Sequence, residues 1–394
     1  MGFDGGRVSP RSGQALVGTM RILHVGVGNL GPGGVSTYVD GLAQAQRLRG
    51  HDVSLAELWP TGGEGRPKGT LPLDGFDEVI RLRDEQGADV VHLHALVPSY
   101  EGLGGRAVMT SHEHAAHCAS GGRYLEGRRK TCTREFGWLG CLAGHYLDGC
   151  GSRHPRNVLR RFQVTQAATE FQGHWIAPSA FSHGQIVRRG IPRAKVHHVP
   201  NPVGPLSEDL PVRAEGKHDF LYLGRLVPNK GCDVLLRAME RLPGRTLLVL
   251  GEGPERSALE SLAMSLGLGD RVDFGGWASP DRVGAMLRQS RALVVPSLWP
   301  EPFGLVALEA YRESCPVVAS RVGGLADLVE DGQTGFLVPP DDPSSLAEAM
   351  GKLLLPELAE AMGARGRRMA GERFAMSSHL AALDEIYAAA RGAT

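Results

Sequence analysis

Pro296-Ser297-Leu298-Trp299-Pro300-Glu301-Pro302-Phe303-Gly304-Leu305-Val306-Ala307-Leu308-Glu309 decides the fold of this chain. Residues 292–296, at its start, are short and β-branched, the pattern of a buried strand, and the apolar residues after Gly304 recur at helical spacing. A strand end is thus joined to a helix start. The amides of Phe303, Gly304 and Leu305 become unpaired donors at that helix N-terminus, where an anion is favoured. Glu301 falls in the loop and Glu309 lies about two helical turns later, so one carboxylate can accept sugar hydroxyls and the other ribose hydroxyls. The plainer alternative makes Glu301 a helix cap and Glu309 part of a solvated face.

A second loop has the same form. Leu223-Gly224-Arg225-Leu226-Val227-Pro228-Asn229-Lys230-Gly231 follows a strand and precedes a helix, with two cations at the C-terminal edge of a sheet. Arg presents a planar fork and Lys a mobile point charge, and together they can neutralise a diphosphate. Two solvated surface cations are the default alternative. A third loop, Gly26-Val27-Gly28-Asn29-Leu30-Gly31-Pro32-Gly33-Gly34, contains a formal G-x-G-x-x-G, with Glu57 at the end of the next strand. That spacing suits a dinucleotide. Pro32-Gly33-Gly34 lengthens the loop, however, and the helical pattern opens only near Val35 or Ser36, away from where a pyrophosphate would sit. The loop is then an unliganded connection, a nicotinamide site, or bare backbone at Gly33 and Gly34 approaching a phosphate or sugar. The last reading is preferred, because a Cβ would block such an approach.

Outward from these loops the chain alternates short strands with amphipathic helices, the pattern of parallel α/β domains. Strands are predicted at 21–27, 52–58, 89–94, 107–111, 175–177 and 195–199, then at 219–223, 246–250, 272–275, 292–296, 316–319 and 335–339. Helices include 233–242, 255–266 and 343–354. The fold class is α/β, with two Rossmann-like domains whose parallel sheets face across a central cleft, where ligands of such sheets bind. The division is a disordered leader at 1–19, an N-terminal acceptor-side domain at 20–204, a nucleotide-sugar-binding domain at 205–375, and a helix at 376–394 packing back on the first domain. A Pro-rich polar stretch through 200–216 reads as the linker. The Gly-rich leader lacks the apolar core of a signal peptide, and Met20 is an alternative start.

The 394 residues suffice for two or three domains. Lys+Arg and Asp+Glu are both 43, so no overall field recruits nucleic acid or an anionic membrane. No apolar run reaches the ~20 residues of a membrane span. These features place the protein in the cytoplasm, free or peripheral at the inner face of the membrane, with its six cysteines reduced or metal-bound. Cys118, Cys132, Cys141 and Cys150 fall within an insert at about 115–156 that lacks clear periodicity. Their spacing contains no C-x-x-C, and structural zinc, buried thiols and disulfides all stay open.

Arg225 and Lys230, followed by Glu301 and Glu309 with seven residues between them, resemble retaining GT-B glycosyltransferases of sequence family four. Gly251-Glu252-Gly253-Pro254, Val272-Asp273-Phe274-Gly275-Gly276-Trp277, Val322-Gly323-Gly324 and Glu330-Asp331-Gly332-Gln333-Thr334-Gly335-Phe336-Leu337-Val338 resemble the same family. The resemblance covers nearly all of 20–394. It implies that Arg225 and Lys230 hold the donor diphosphate and that Glu309 binds ribose. Glu301, with the backbone at Phe303, Gly304 and Leu305, would take the transferred sugar, and Gly34 with Gly33 would cover the diphosphate from the facing domain. The base would sit between the loop carrying Gly253 and that carrying Trp277. His112, at a strand end, matches the family histidine at the reaction centre; taken alone it would more often be structural.

The implied activity is hexosyl transfer from a nucleoside diphosphate sugar to a carbohydrate, lipid-linked or small-molecule acceptor. It runs by internal return without a catalytic metal or other cofactor. The competing readings are a sugar-nucleotide epimerase or phosphorylase, a non-catalytic sugar-nucleotide-binding protein, and a nicotinamide oxidoreductase. Base, sugar, acceptor and oligomeric state are not encoded in any motif.

Overall fold

Runs such as Val90-Val91-His92-Leu93, Leu247-Leu248-Val249-Leu250 and Val317-Val318-Ala319-Ser320 are buried at every position. A strand buried on both faces belongs inside a parallel sheet covered by helices. In the computed structural model, which describes residues 18–28, 33–59, 67–206 and 217–392, these runs build two such sheets.

The first half supplies β1 (Arg21–Val27), β2 (Asp52–Leu58), β3 (Thr70–Leu73), β4 (Val90–Leu93) and β5 (Ala107–Thr110). A two-stranded antiparallel pair follows, β6 (Tyr124–Leu125) with β7 (Lys130–Thr131), then β8 (His174–Ala177) and β9 (Val196–His198). The main sheet has the order β3-β2-β1-β4-β5-β8-β9. The second half supplies β10 (Phe220–Leu223), β11 (Leu247–Leu250), β12 (Val272–Gly276), β13 (Ala292–Val295), β14 (Val317–Ser320) and β15 (Gly335–Val338). These pair in the order β12-β11-β10-β13-β14-β15. In each sheet the order reverses beside its first strand, between β1 and β4 and between β10 and β13. That reversal opens a crevice at the C-terminal edge.

Three local expectations need correction. The edge strand β3 is absent from the sequence reading, because Thr-Leu-Pro-Leu buries only Leu73 and contains Pro72. The first helix opens at Gly34, a residue earlier than the apolar pattern indicates. The aperiodic insert carries the β6–β7 pair and a helix at Trp138–Tyr146. The leader through residue 17 and linker residues 207–216 lie outside the described residues.

The C-terminal helix Met376–Gly392 belongs to the first domain's core. Leu380, Leu383, Ile386 and Tyr387 are buried together with Met20, Ile22, Val90 and Val108. Tyr387 bonds His92 at 2.7 Å and Arg49 bonds Asp384 at 3.0 Å. Among the described residues no helix is long and apolar enough to cross a membrane.

Candidate functional site

Lys230 ends the short turn Pro228–Lys230, and Gly231 after it has φ 67°. A Cβ on Gly231 would fall 2.0 Å from the carbonyl oxygen of Pro296, so glycine is what lets this loop lie against the loop after β13. The contact is closed by Leu298 N–H donating to Asn229 O at 2.9 Å. It brings Lys230 Nζ to 2.6 Å from Glu301 Oε1, and Ser297 Oγ donates to the same oxygen at 2.6 Å. The ammonium also lies 4.9 Å from the centre of the Trp299 ring. Burial by itself would raise the Glu301 carboxyl. The adjacent Lys230 charge and the bonds from Lys230 and Ser297 outweigh that and hold it below its ordinary value.

The remaining candidate residues of the second domain follow the C-terminal ends of β10 to β13. Arg225 is exposed on the same loop as Lys230. Gly304, with φ 106°, opens the helix Leu305–Arg312 and leaves that helix's first amides without intrahelical partners. Phe303 buries its ring edge-on against Phe374, 5.8 Å between centroids, so only its backbone is left for a ligand. Glu309 is half-buried on the helix, and burial raises its carboxyl despite nearby Arg312. Gly253 fits so closely over Leu226 that a Cβ would sit 2.2 Å from its carbonyl oxygen. Trp277, 67% exposed, follows β12 beside the Gly251–Gly276 backbone bond of 2.8 Å.

The first domain reaches this loop from several elements. Ser179 Oγ and Ser182 Oγ donate to Pro302 O at 2.6 and 3.1 Å, and His114 Nε2 donates to Pro300 O. The two carbonyls flanking Glu301 are therefore both held from across the cleft. Gly34 faces the same helix start: a Cβ there would meet Leu305 Cδ1 at 3.0 Å.

His112 lies just past β5 and is the outer end of a hydrogen-bonded row. Gln46 Oε1 stands 2.7 Å from His24 Nε2, His24 Nδ1 2.9 Å from His94 Nε2, and His94 Nδ1 3.1 Å from His112 Nε2. Burial holds His24 at about 4 and His112 at about 3, and pushes His94 well below its ordinary value, so all three rings are neutral at pH 7. Polarity then follows from Gln46. Its carbonyl accepts from His24 Nε2–H, each neutral ring passes the same orientation outward, and His112 donates from Nε2 and keeps a lone pair on Nδ1. The orientation starts from the Gln46 amide. The amide also donates to Tyr387 at 3.1 Å. Tyr38 stacks edge-on against His112 with centroids 5.1 Å apart.

The structure thus gathers Lys230, Glu301 and Ser297 at one point, with Arg225 on the same loop as Lys230 and Gly34 facing Leu305. Sequence reasoning missed Ser297, Trp299, Ser179, Ser182 and the interior residues Gln46, His24 and His94. Only the His92-Leu93-His94 run at a strand end carried a readable hint. The four cysteines of the insert, about 14, 9 and 9 positions apart by number, line one cavity of about 20 Å³. Burial, with neighbouring thiols adding to it, pushes Cys150 up to about 12.

Two family models match in tandem, Glycosyltransferase Family 4 over residues 32–205 and Glycosyl transferases group 1 over 209–369. The fold and these matches define a two-domain GT-B protein. The chain belongs to the family-four glycosyltransferases.

A D-inositol 3-phosphate glycosyltransferase of Mycobacteroides abscessus is 44% identical over 140 residues, 34% of this chain and 31% of that protein. An uncharacterized glycosyltransferase of Methanocaldococcus jannaschii is 34% identical over 55% of this chain and 57% of its own. The alpha-D-kanosaminyltransferase of Streptomyces kanamyceticus is 34% identical over 42% and 44%. The chain therefore spans about a third to just over half the length of these relatives. Among solved structures, Anabaena HepE with UDP and glucose superposes with a TM-score of 0.69 at 18% identity, covering 94% of this chain and 99% of that one. Sucrose-phosphate synthase from Thermosynechococcus elongatus gives 0.71 at 23% identity, covering 95% and 100%. At these identities the likeness is one of fold.

Proposed function

We propose that the protein transfers a sugar from a nucleoside diphosphate sugar to an acceptor hydroxyl with retention of anomeric configuration. The carrying observation is the Lys230–Glu301–Ser297 cluster beside the Leu305–Arg312 helix start. Glu301 Oε1 takes both Lys230 and Ser297, which leaves Oε2 for a sugar hydroxyl. Lys230 spends one of its three N–H donors on Glu301 and has two for the diphosphate. Arg225 and the first amides of the helix share that charge. In this reading Glu309 takes the ribose, the loops of Gly253 and Trp277 take the base, and Gly33 and Gly34 cover the diphosphate from the opposite side. Solved fold neighbours contain UDP and UDP-glucose, which makes a uridine donor the first to try.

In the reaction the bond from the anomeric carbon to the β-phosphate oxygen breaks. The freed phosphate oxygen takes the proton of the acceptor hydroxyl, and the acceptor oxygen bonds the anomeric carbon on the same face. Arg225, Lys230 and the helix amides stabilise the leaving charge, and His112 Nδ1 accepts from a donor-sugar hydroxyl. The scheme uses no metal at the reaction centre. Glu301 and Glu309 are committed to binding the donor, so a pair of carboxylates working as acid and nucleophile has no place in it. The acceptor class is left to the first domain.

The test is a panel of nucleotide sugars screened by thermal shift, since a bound donor raises apparent stability. The anomeric configuration of the product is then read by NMR. Inversion, or no stabilisation by any nucleoside diphosphate sugar, would overturn the reading.

A further inference from the structure

The Cys-rich insert is a small substructure with little core of its own. Ala119, Val158 and Phe162 are the buried members of its apolar cluster, joined by half-buried Phe136, Cys141 and Leu142. Trp138 and Leu139 are 56% and 87% exposed, so its helix Trp138–Tyr146 contributes little burial. A segment with so small a core usually depends on a covalent or metal cross-link.

Four thiols from four places in this segment meet at one cavity. Cys118 follows the strand β5, Cys132 follows β7, Cys141 lies in the helix, and Cys150 lies in the loop beyond it. None is in a disulfide. The cavity, at about 20 Å³, has room for one water-sized occupant. Two histidines supply an independent sign of a ligand. His117 and His145 are 5% and 1% exposed and line the same cavity. Both ring nitrogens of His117, and Nε2 of His145, lack a hydrogen-bond partner in the protein. Buried polar atoms are rarely left so.

We infer that Cys118, Cys132, Cys141 and Cys150 bind one zinc ion that cross-links the insert. Zinc takes four thiolates in a closed tetrahedral structural site, and the room available suits a single ion rather than a cluster. A ring N–H of His117 then finds a partner in a thiolate sulfur, and Arg123 and Arg134 at the cavity wall offset the surplus negative charge. No three of these ligand atoms already stand within 4.8 Å of one another, so the ion must draw the sulfurs to about 2.3 Å from itself. Gly140, Gly144, Gly149 and Gly151, spaced through the segment, permit that approach. The one described group that does meet the spacing, His24, His92 and His94, is engaged on every ring nitrogen by hydrogen bonds. Those three rings therefore belong to the polar interior. A consequence reaches the cleft: His114 packs on His117 at 5.1 Å between ring centroids, so the cross-link also steadies its grip on Pro300 O.

The inference is independent of which sugar is transferred, and its test reads metal and thiols rather than activity. The full chain, purified without metal-chelating resin, is measured by elemental mass spectrometry and thiol titration. About one zinc per chain is expected, released as a mercurial reagent consumes the thiols. Cys132→Ser and Cys141→Ser should each weaken zinc binding at least ~10-fold, while Cys232→Ala, outside the cavity, leaves the content unchanged. Should a variant fail to fold, stripping the wild type with a chelator and titrating back cobalt reads the site by its thiolate absorption. A chain that carries no zinc and takes up none overturns the inference. So does an intact mass showing two disulfides, or zinc whose content the serine variants do not alter.

Discussion

Lys230 Nζ and Glu301 Oε1 stand 2.6 Å apart although 71 residues separate them in sequence. The pair joins the loop proposed to face the donor phosphates to the loop proposed to face the sugar, so the two loops are coupled before any ligand arrives. Lys230→Ala should lower kcat/KM for the donor by at least ~100-fold, the scale of one lost oxyanion donor. Lys230→Ala combined with Glu301→Ala should cost less than the sum of the two single effects, because each single change leaves its partner uncompensated. Strict additivity in that cycle would show that the pair is not a unit.

Arg225 is exposed, and its side chain has no hydrogen-bond or ion-pair partner among the described residues. Arg225→Ala should reduce transfer by ~100-fold while leaving the thermal midpoint within a few degrees of wild type. Full activity in this variant would remove Arg225 from the diphosphate site.

The row from Gln46 through His24 and His94 fixes which nitrogen of His112 carries the proton. Nitrogen-15 NMR of labelled histidine should report His112 as neutral and protonated on Nε2. Gln46→Leu or His94→Phe should lower kcat ~10-fold with little change in nucleotide affinity, the scale of one misdirected hydrogen bond. A His112 protonated on Nδ1 in the wild type would reverse the assignment.

Acid should unfold the first domain early. Burial depresses His24, His114 and His379 to about 4 and His112 to about 3, against about 6.5 in an unfolded chain. Between those values the unfolded state binds protons that the folded state excludes, so stability rises with pH. The thermal midpoint should therefore fall steadily as pH drops from about 6.5 towards 4, and His24→Gln should flatten part of the slope. A midpoint constant across that window would contradict it.

The helix Met376–Gly392 completes the core of the first domain although it follows the second in sequence. Leu383→Ala should destabilise that domain by about 2–5 kcal/mol, as expected for a fully buried leucine. Hydrogen exchange should show the loss at Val90–Leu93 and Arg21–Val27 rather than in the second sheet.

Much of the architecture was legible because its signals are local. Fully apolar strands of four or so residues, punctuated by glycine and proline and alternating with amphipathic helices, define two parallel α/β sheets. The loops carrying Arg225–Lys230 and Glu301–Glu309 follow directly from where those strands end. The edge strand Thr70–Leu73 escaped because an edge needs only one buried side chain and tolerates Pro72.

The chain order alone therefore determined the fold class and the residues offered at the sheet edges. Only the tertiary structure decided how they meet. Glycine at 231 lets two loops touch and pairs Lys230 with Glu301, and the Pro300 and Pro302 carbonyls are held by side chains from the other domain. Four cysteines spread over 118–150 come to one cavity, and a C-terminal helix returns to cover the first strands. These are contacts between residues far apart in sequence. They leave no periodicity or spacing to read, because burial and hydrogen bonding act on distance in space rather than along the chain.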